Sequence, residues 1–121
     1  MQITYWIIAT LLAAFYVYGG FLKIVRSQEQ LQPMMGWAGT DVPMRTVRFI
    51  GVVEVLGAVG LVLPPLTGVA VELAVAAAVG LAVLQVLAMR VHLSRGEGRE
   101  SVMNVVLVVL AGVAAGLATS L

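Results

Sequence analysis

Glu54 stands near the middle of an apolar run from about Val47 to Leu63, with Arg48 at its edge and no other charge inside it. A carboxylate at that depth in a bilayer costs roughly 2.5–3.5 kcal/mol on insertion scales. It must therefore be paired or protonated, and it must face other helices or a wet cavity. Its helical neighbours at i−3, i+3 and i+4 are Gly51, Gly57 and Ala58, which leave room for a partner side chain or a ligand. Few other polar residues fall near such depth. Lys23 closes the first apolar run, with Tyr16, Gly19 and Gly20 on its face. Gln85 and His92 are seven residues apart, on one face of a helix and about 10 Å apart along its axis. Asn104 falls in the first turn of the last run. In an antiparallel bundle these residues and Arg48 gather in one half, with Glu54 just beyond them. A ligand- or partner-binding cluster of Glu54, Lys23, Arg48, Gln85, His92, Asn104 and Tyr16 is the resulting expectation.

Each member has a plainer alternative. Lys23 and Arg48 could snorkel to the headgroups. Gln85 and Asn104 could simply bond helix to helix, and His92 could be an ordinary interfacial histidine. Glu54 is the residue this alternative serves least well. A lone His in a chain without Cys makes no metal or haem site, so no metal ligand is expected. Absence of Cys also removes disulfides and thiol redox chemistry. No nucleophile–base–orienter arrangement, phosphate loop or paired-carboxylate site is visible, and the chain alone is not expected to be an enzyme. A net charge of +1 offers no basic face for nucleic acid.

The elements that would position these residues follow from composition. Of the 121 residues 61% are hydrophobic and 11% charged, against about 25% charged in soluble domains. The mean hydropathy is +1.05. A soluble chain this short could not hide so much apolar surface, so lipid is its solvent. Four apolar stretches, at about residues 3–22, 47–63, 69–89 and 102–121, are each long enough to cross a hydrocarbon core. The expected fold is all-α: an integral membrane bundle of four antiparallel transmembrane helices forming one domain over 1–121. The first stretch lacks a basic n-region and is not read as a cleaved signal. Tyr5 and Trp6 near its start suit an interfacial aromatic anchor.

Pro64-Pro65-Leu66-Thr67-Gly68 reads as a tight turn, since Pro and Gly stop helices. Residues 25–44 read as an interfacial loop with room for a short helix, and Ser94 to Glu100 as a short flexible link. All seven Lys and Arg flank these last two connections. The positive-inside rule places them in the cytoplasm and both termini outside. Small residues on every helix suit close packing in lipid. They include Ala74, Ala78 and Ala82, and Gly112 and Gly116 at GxxxG spacing. The GxxxG pair could serve the bundle or a homodimer.

The chain resembles the DoxX-like family of small bacterial membrane proteins over roughly Trp6 to Leu117. The resemblance rests on Phe15 with Gly19-Gly20-Phe21-Leu22-Lys23, and on Met35-Gly36-Trp37. It rests most on the stretch from Arg48 to Pro64, which matches RxxGxxExxGAxGLxLP. His92 and Asn104 also fall where such proteins often carry those residues. The resemblance implies a four-helix membrane bundle in the bacterial inner membrane. Some relatives are named as partners of membrane redox systems such as thiosulfate:quinone oxidoreductase, others as assembly helpers for receptors.

Three functions remain open. The first is a non-catalytic module with no intrinsic cofactor, binding a quinone, a lipid or a membrane redox partner through the cluster around Glu54. The second is an assembly helper for other membrane proteins. A proton-coupled transporter comes third, because four unbroken helices suit it poorly.

Overall fold

The computed structural model describes residues 2–121; Met1, at the start of the expected domain, lies outside them. Four long helices form: α1 (Gln2–Val25), α3 (Met44–Thr67), α4 (Leu73–Ser94) and α5 (Gly98–Ala118), with a single-turn helix α2 (Gln28–Leu31) in the first connection. The long helices have 24, 24, 22 and 21 residues, or about 32–36 Å at 1.5 Å per residue. All four are long and apolar enough to cross a membrane. Each packs antiparallel to the next in the order α1, α3, α4, α5, and α5 closes the ring against α1. The fold is an all-α membrane bundle.

Every long helix buries a stripe spaced by three or four residues, to which α1 adds Leu22, and most of what lies outside the stripes is apolar and outward. On α1 the stripe is Tyr5, Ala9, Leu12, Tyr16 and Gly20; on α4 it is Ala74, Ala78, Leu81 and Gln85. Such continuous apolar exposure on the outer surface suits lipid, since soluble monomers keep exposed apolar patches small. Lipid gives helices no hydrophobic reason to associate, so contact depends on close approach. Glycines supply it at the α1–α3 crossing. A Cβ on Gly20 would lie 2.7 Å from the Gly51 carbonyl oxygen, and one on Gly51 would lie 2.6 Å from that of Gly20. Between α3 and α4, Gly57 receives the Leu81 side chain and Gly60 the Ala77 methyl.

Three readings of the sequence change. Pro64 and Pro65 do not end α3; the helix runs through them to Thr67 and stops at Gly68, whose φ of 74° is left-handed. Pro65 has no N–H for the carbonyl of Leu61, four residues back. Tyr5 of α1 fills that place, its hydroxyl donating to Leu61 O at 2.6 Å. Tyr5 is accordingly fully buried, a core residue rather than an interfacial anchor. The turn moves to residues 68–72, where Ala70 also takes a positive φ. Gly112 and Gly116 face outward, with no atom of the described residues within 4 Å of where a Cβ would stand; they take no part in the packing of these helices.

The first connection folds back on the bundle. Ser27 caps α2 in a reciprocal box with Gln30. Leu31 and Ala38 bury against Leu22 and Val47, with Met35, Trp37 and Val42 alongside. That second small core holds Trp37 over the end of α1.

Candidate functional site

The Gly20–Gly51 crossing determines what happens one helical turn further on. It brings Lys23 of α1 against Glu54 of α3, Nζ to Oε1 at 2.6 Å. Glu54 is 2% exposed and the Lys23 side chain 11%. Lys23 Nζ also lies 5.8 Å from the Trp37 ring centroid, within cation–π range. Arg48, the other basic residue expected in the cluster, goes elsewhere. Its Nη1 donates to the backbone carbonyls of Lys23 and Arg26, close to where α1 ends and carbonyls lack intrahelical donors. Arg48 thus fixes the backbone that carries Lys23 without joining the pair.

Gln85 and Asn104 meet across α4 and α5, Asn104 Nδ2 donating to Gln85 Oε1 at 2.6 Å. Both are buried. Among the described residues Asn104 Oδ1 has no hydrogen-bond partner, and neither has the hydroxyl of the fully buried Tyr16. His92 stands one end further, Nδ1 to Glu97 Oε1 at 2.9 Å, its ring edge-on to Trp37. With Nδ1 donating to Glu97, Nε2 is left for another partner. The link after α4 is pinned rather than loose: Arg95 bonds Asp41 of the first connection and, at 3.2 Å, Glu97. Arg95 holds the Asp41 carboxyl below its ordinary range, and the His92 hydrogen bond does the same for Glu97. The Asp41 carboxylate in turn raises the Arg95 guanidinium. Trp37, Asp41 and Glu97 were not among the expected site residues. Trp37 had a signal in the Met35-Gly36-Trp37 patch; the Asp41–Arg95 contact spans 54 positions and had none.

Two cavities meet at this cluster. The larger, about 360 Å³, lies between α3 and α4 beneath Trp37 and Val42. Phe49 and Leu87 line it while more than half exposed, so it opens sideways between the two helices. A smaller one, about 220 Å³, lies between α1 and α5, with Phe15, Met34 and Met103 at its mouth. Lys23, Trp37, Glu54, Gln85, Ala88 and His92 line both. The polar groups therefore form a partition reached from two sides of the bundle. Asn104 lines the smaller cavity; Tyr16 and Arg48 line neither.

The motif on α3 supplies both the glycine that sets the crossing and the acid that the crossing pairs. The model of the DoxX-like family matches residues 7–114. The chain belongs to the DoxX-like family. No curated protein and no solved structure matches it. In this family member, no group of three His, Cys, Asp or Glu among the described residues could hold a metal ion. What the site offers is hydrogen-bonding groups at the inner end of an apolar cavity.

Proposed function

We propose that this DoxX-like protein is a non-catalytic membrane module that binds an amphipathic molecule, a quinone or a lipid, at the cluster around Glu54. The observation that carries the reading is the 360 Å³ cavity, which falls in the roughly 300–1,000 Å³ range of ligand pockets. Its walls are apolar and its inner end is polar. The head group lies against Lys23, Glu54, Gln85 and His92. The tail leaves past Phe49 and Leu87 into the bilayer. Asn104 reaches the same polar cluster from the smaller cavity, Arg48 supports the arrangement from behind, and Tyr16 closes the core beneath it.

Ala88 lines both cavities, so Ala88→Phe plugs them without touching a charge. Protein purified in mild detergent and extracted for mass spectrometry should yield a stoichiometric amphiphile from the wild type and none from Ala88→Phe. Equal yields from both would count against the cavity. A second reading, docking of a partner helix or a second copy, is favoured by the outward Gly112 and Gly116, a pattern that lets helices approach closely in lipid.

We also infer that the end carrying all seven Lys and Arg is cytoplasmic, with both termini outside. Thr40→Cys and Ser94→Cys at exposed positions should resist an impermeant thiol reagent in intact cells; labelling of either reverses the orientation.

A further inference from the structure

The charge balance of the cavities narrows what kind of head group they hold. Among the described residues Lys23 is the only Lys or Arg lining either cavity, and its ammonium is already 2.6 Å from the Glu54 carboxylate. His92, which lines both, is turned to Glu97, and Glu100, at the rim of the smaller one, is exposed to water and needs no cation from a ligand. The nearby guanidiniums are engaged too, Arg48 by two backbone carbonyls and Arg95 by Asp41 and Glu97. A phosphate or carboxylate entering here would leave water and find no free cation. Burying a charge without a partner is heavily penalised. A second observation is independent of charge. Asn104 lines the smaller cavity and is 6% exposed, and its Oδ1 accepts no hydrogen bond from any described residue. A buried acceptor wants a donor, which a fully ionised phosphate or carboxylate does not bring. A hydroxyl does.

We propose that the head group taken by this site is uncharged and carries a hydroxyl, as a diacylglycerol or a long-chain phenol does, and is not an anionic lipid head. The proposal rests on the ligand-binding reading above and names the class of ligand within it.

The test uses the full chain with Trp6→Phe, which leaves Trp37 as the one tryptophan of the two in the sequence, in phosphatidylcholine nanodiscs. Brominated diacylglycerol, a brominated long-chain alkylphenol and brominated phosphatidic acid are each titrated as quenchers of Trp37. Brominated phosphatidylcholine measures quenching by bulk lipid. A neutral probe should bind about tenfold more tightly than phosphatidic acid, a difference of about 1.4 kcal/mol. The stronger of the two neutral probes tells a glyceride hydroxyl from a ring hydroxyl. Glu54→Gln releases the Lys23 charge and should shift the preference about tenfold towards phosphatidic acid. The double variant Lys23→Met/Glu54→Gln restores neutrality and should keep the wild-type order. Phosphatidic acid binding the wild type as well as or better than both neutral probes overturns the uncharged head and leaves the site standing. Quenching by none of the three beyond phosphatidylcholine overturns the site itself.

Discussion

Glu54→Gln removes one charge of a pair that is almost wholly enclosed. Severing a fully buried ion pair by deleting one partner costs about 3–5 kcal/mol, because the remaining charge is stranded. Two features reduce that cost here. Lys23 is the third residue from the end of α1, so its stem can carry the ammonium towards the basic end. The Trp37 ring, 5.8 Å away, would keep a cation–π contact of about 0.5–2 kcal/mol. The expected loss is therefore about 2–3 kcal/mol, which for a chain of this size lowers Tm by roughly 8–15 °C. Lys23→Met should cost a similar amount, and Lys23→Met/Glu54→Gln should recover most of the loss, since no charge is left unpaired. Thermal unfolding of the four proteins of this cycle in one detergent measures the coupling. A Glu54→Gln protein as stable as the wild type, or a double variant no better than the singles, would refute the argument that the pair is charged and mutually dependent.

The glycine crossing makes Gly51→Ala costly, by about 1–3 kcal/mol of overpacking, because its Cβ meets backbone 2.6 Å away; Gly112→Leu, facing open space, should leave Tm unchanged in the same melt. Tyr5→Phe removes the donor offered in place of the Pro65 N–H and should cost about 1–2 kcal/mol, with no effect on ligand yield at the opposite end of the bundle. Asp41 and Glu97 are held below their ordinary values of 3.8 and 4.5. Their contribution is complete above those values and is lost as pH falls below them. The connection over Trp37 should therefore loosen only in acid, seen as a Trp37 emission shift between neutral pH and about pH 3, and Asp41→Asn should show part of that shift already at neutral pH.

Much of the polar cluster was legible because membrane depth makes polar residues conspicuous. Glu54, Lys23, Gln85 and Asn104 break apolar runs, and antiparallel packing leaves them few places to go but one another. The family pattern added the Gly51 and Glu54 spacing, whose geometric sense is the crossing with Gly20. What stayed hidden depended on contacts between distant segments. Proline chemistry at Pro64-Pro65 argues for a turn, and the donor that meets one of the two freed carbonyls comes from Tyr5, 56 positions from Leu61. In lipid the inner and outer faces of a helix are both apolar, so nothing local shows that Gly112 and Gly116 look outward while Ala111 and Ala114 look in. The polar link after α4 looks flexible by composition, yet Arg95 and Glu97 hold it to Asp41 and His92.

The central claim, that an amphiphile occupies the space beside the Lys23–Glu54 pair, is met most directly by crystals grown from a lipidic mesophase without detergent exchange. The account predicts continuous elongated density in the cavity between α3 and α4, its head within hydrogen-bond distance of Gln85 or His92 and its tail leaving beside Phe49. A cavity closed by repacked side chains, or one holding only ordered water against an intact Lys23–Glu54 pair, would contradict it.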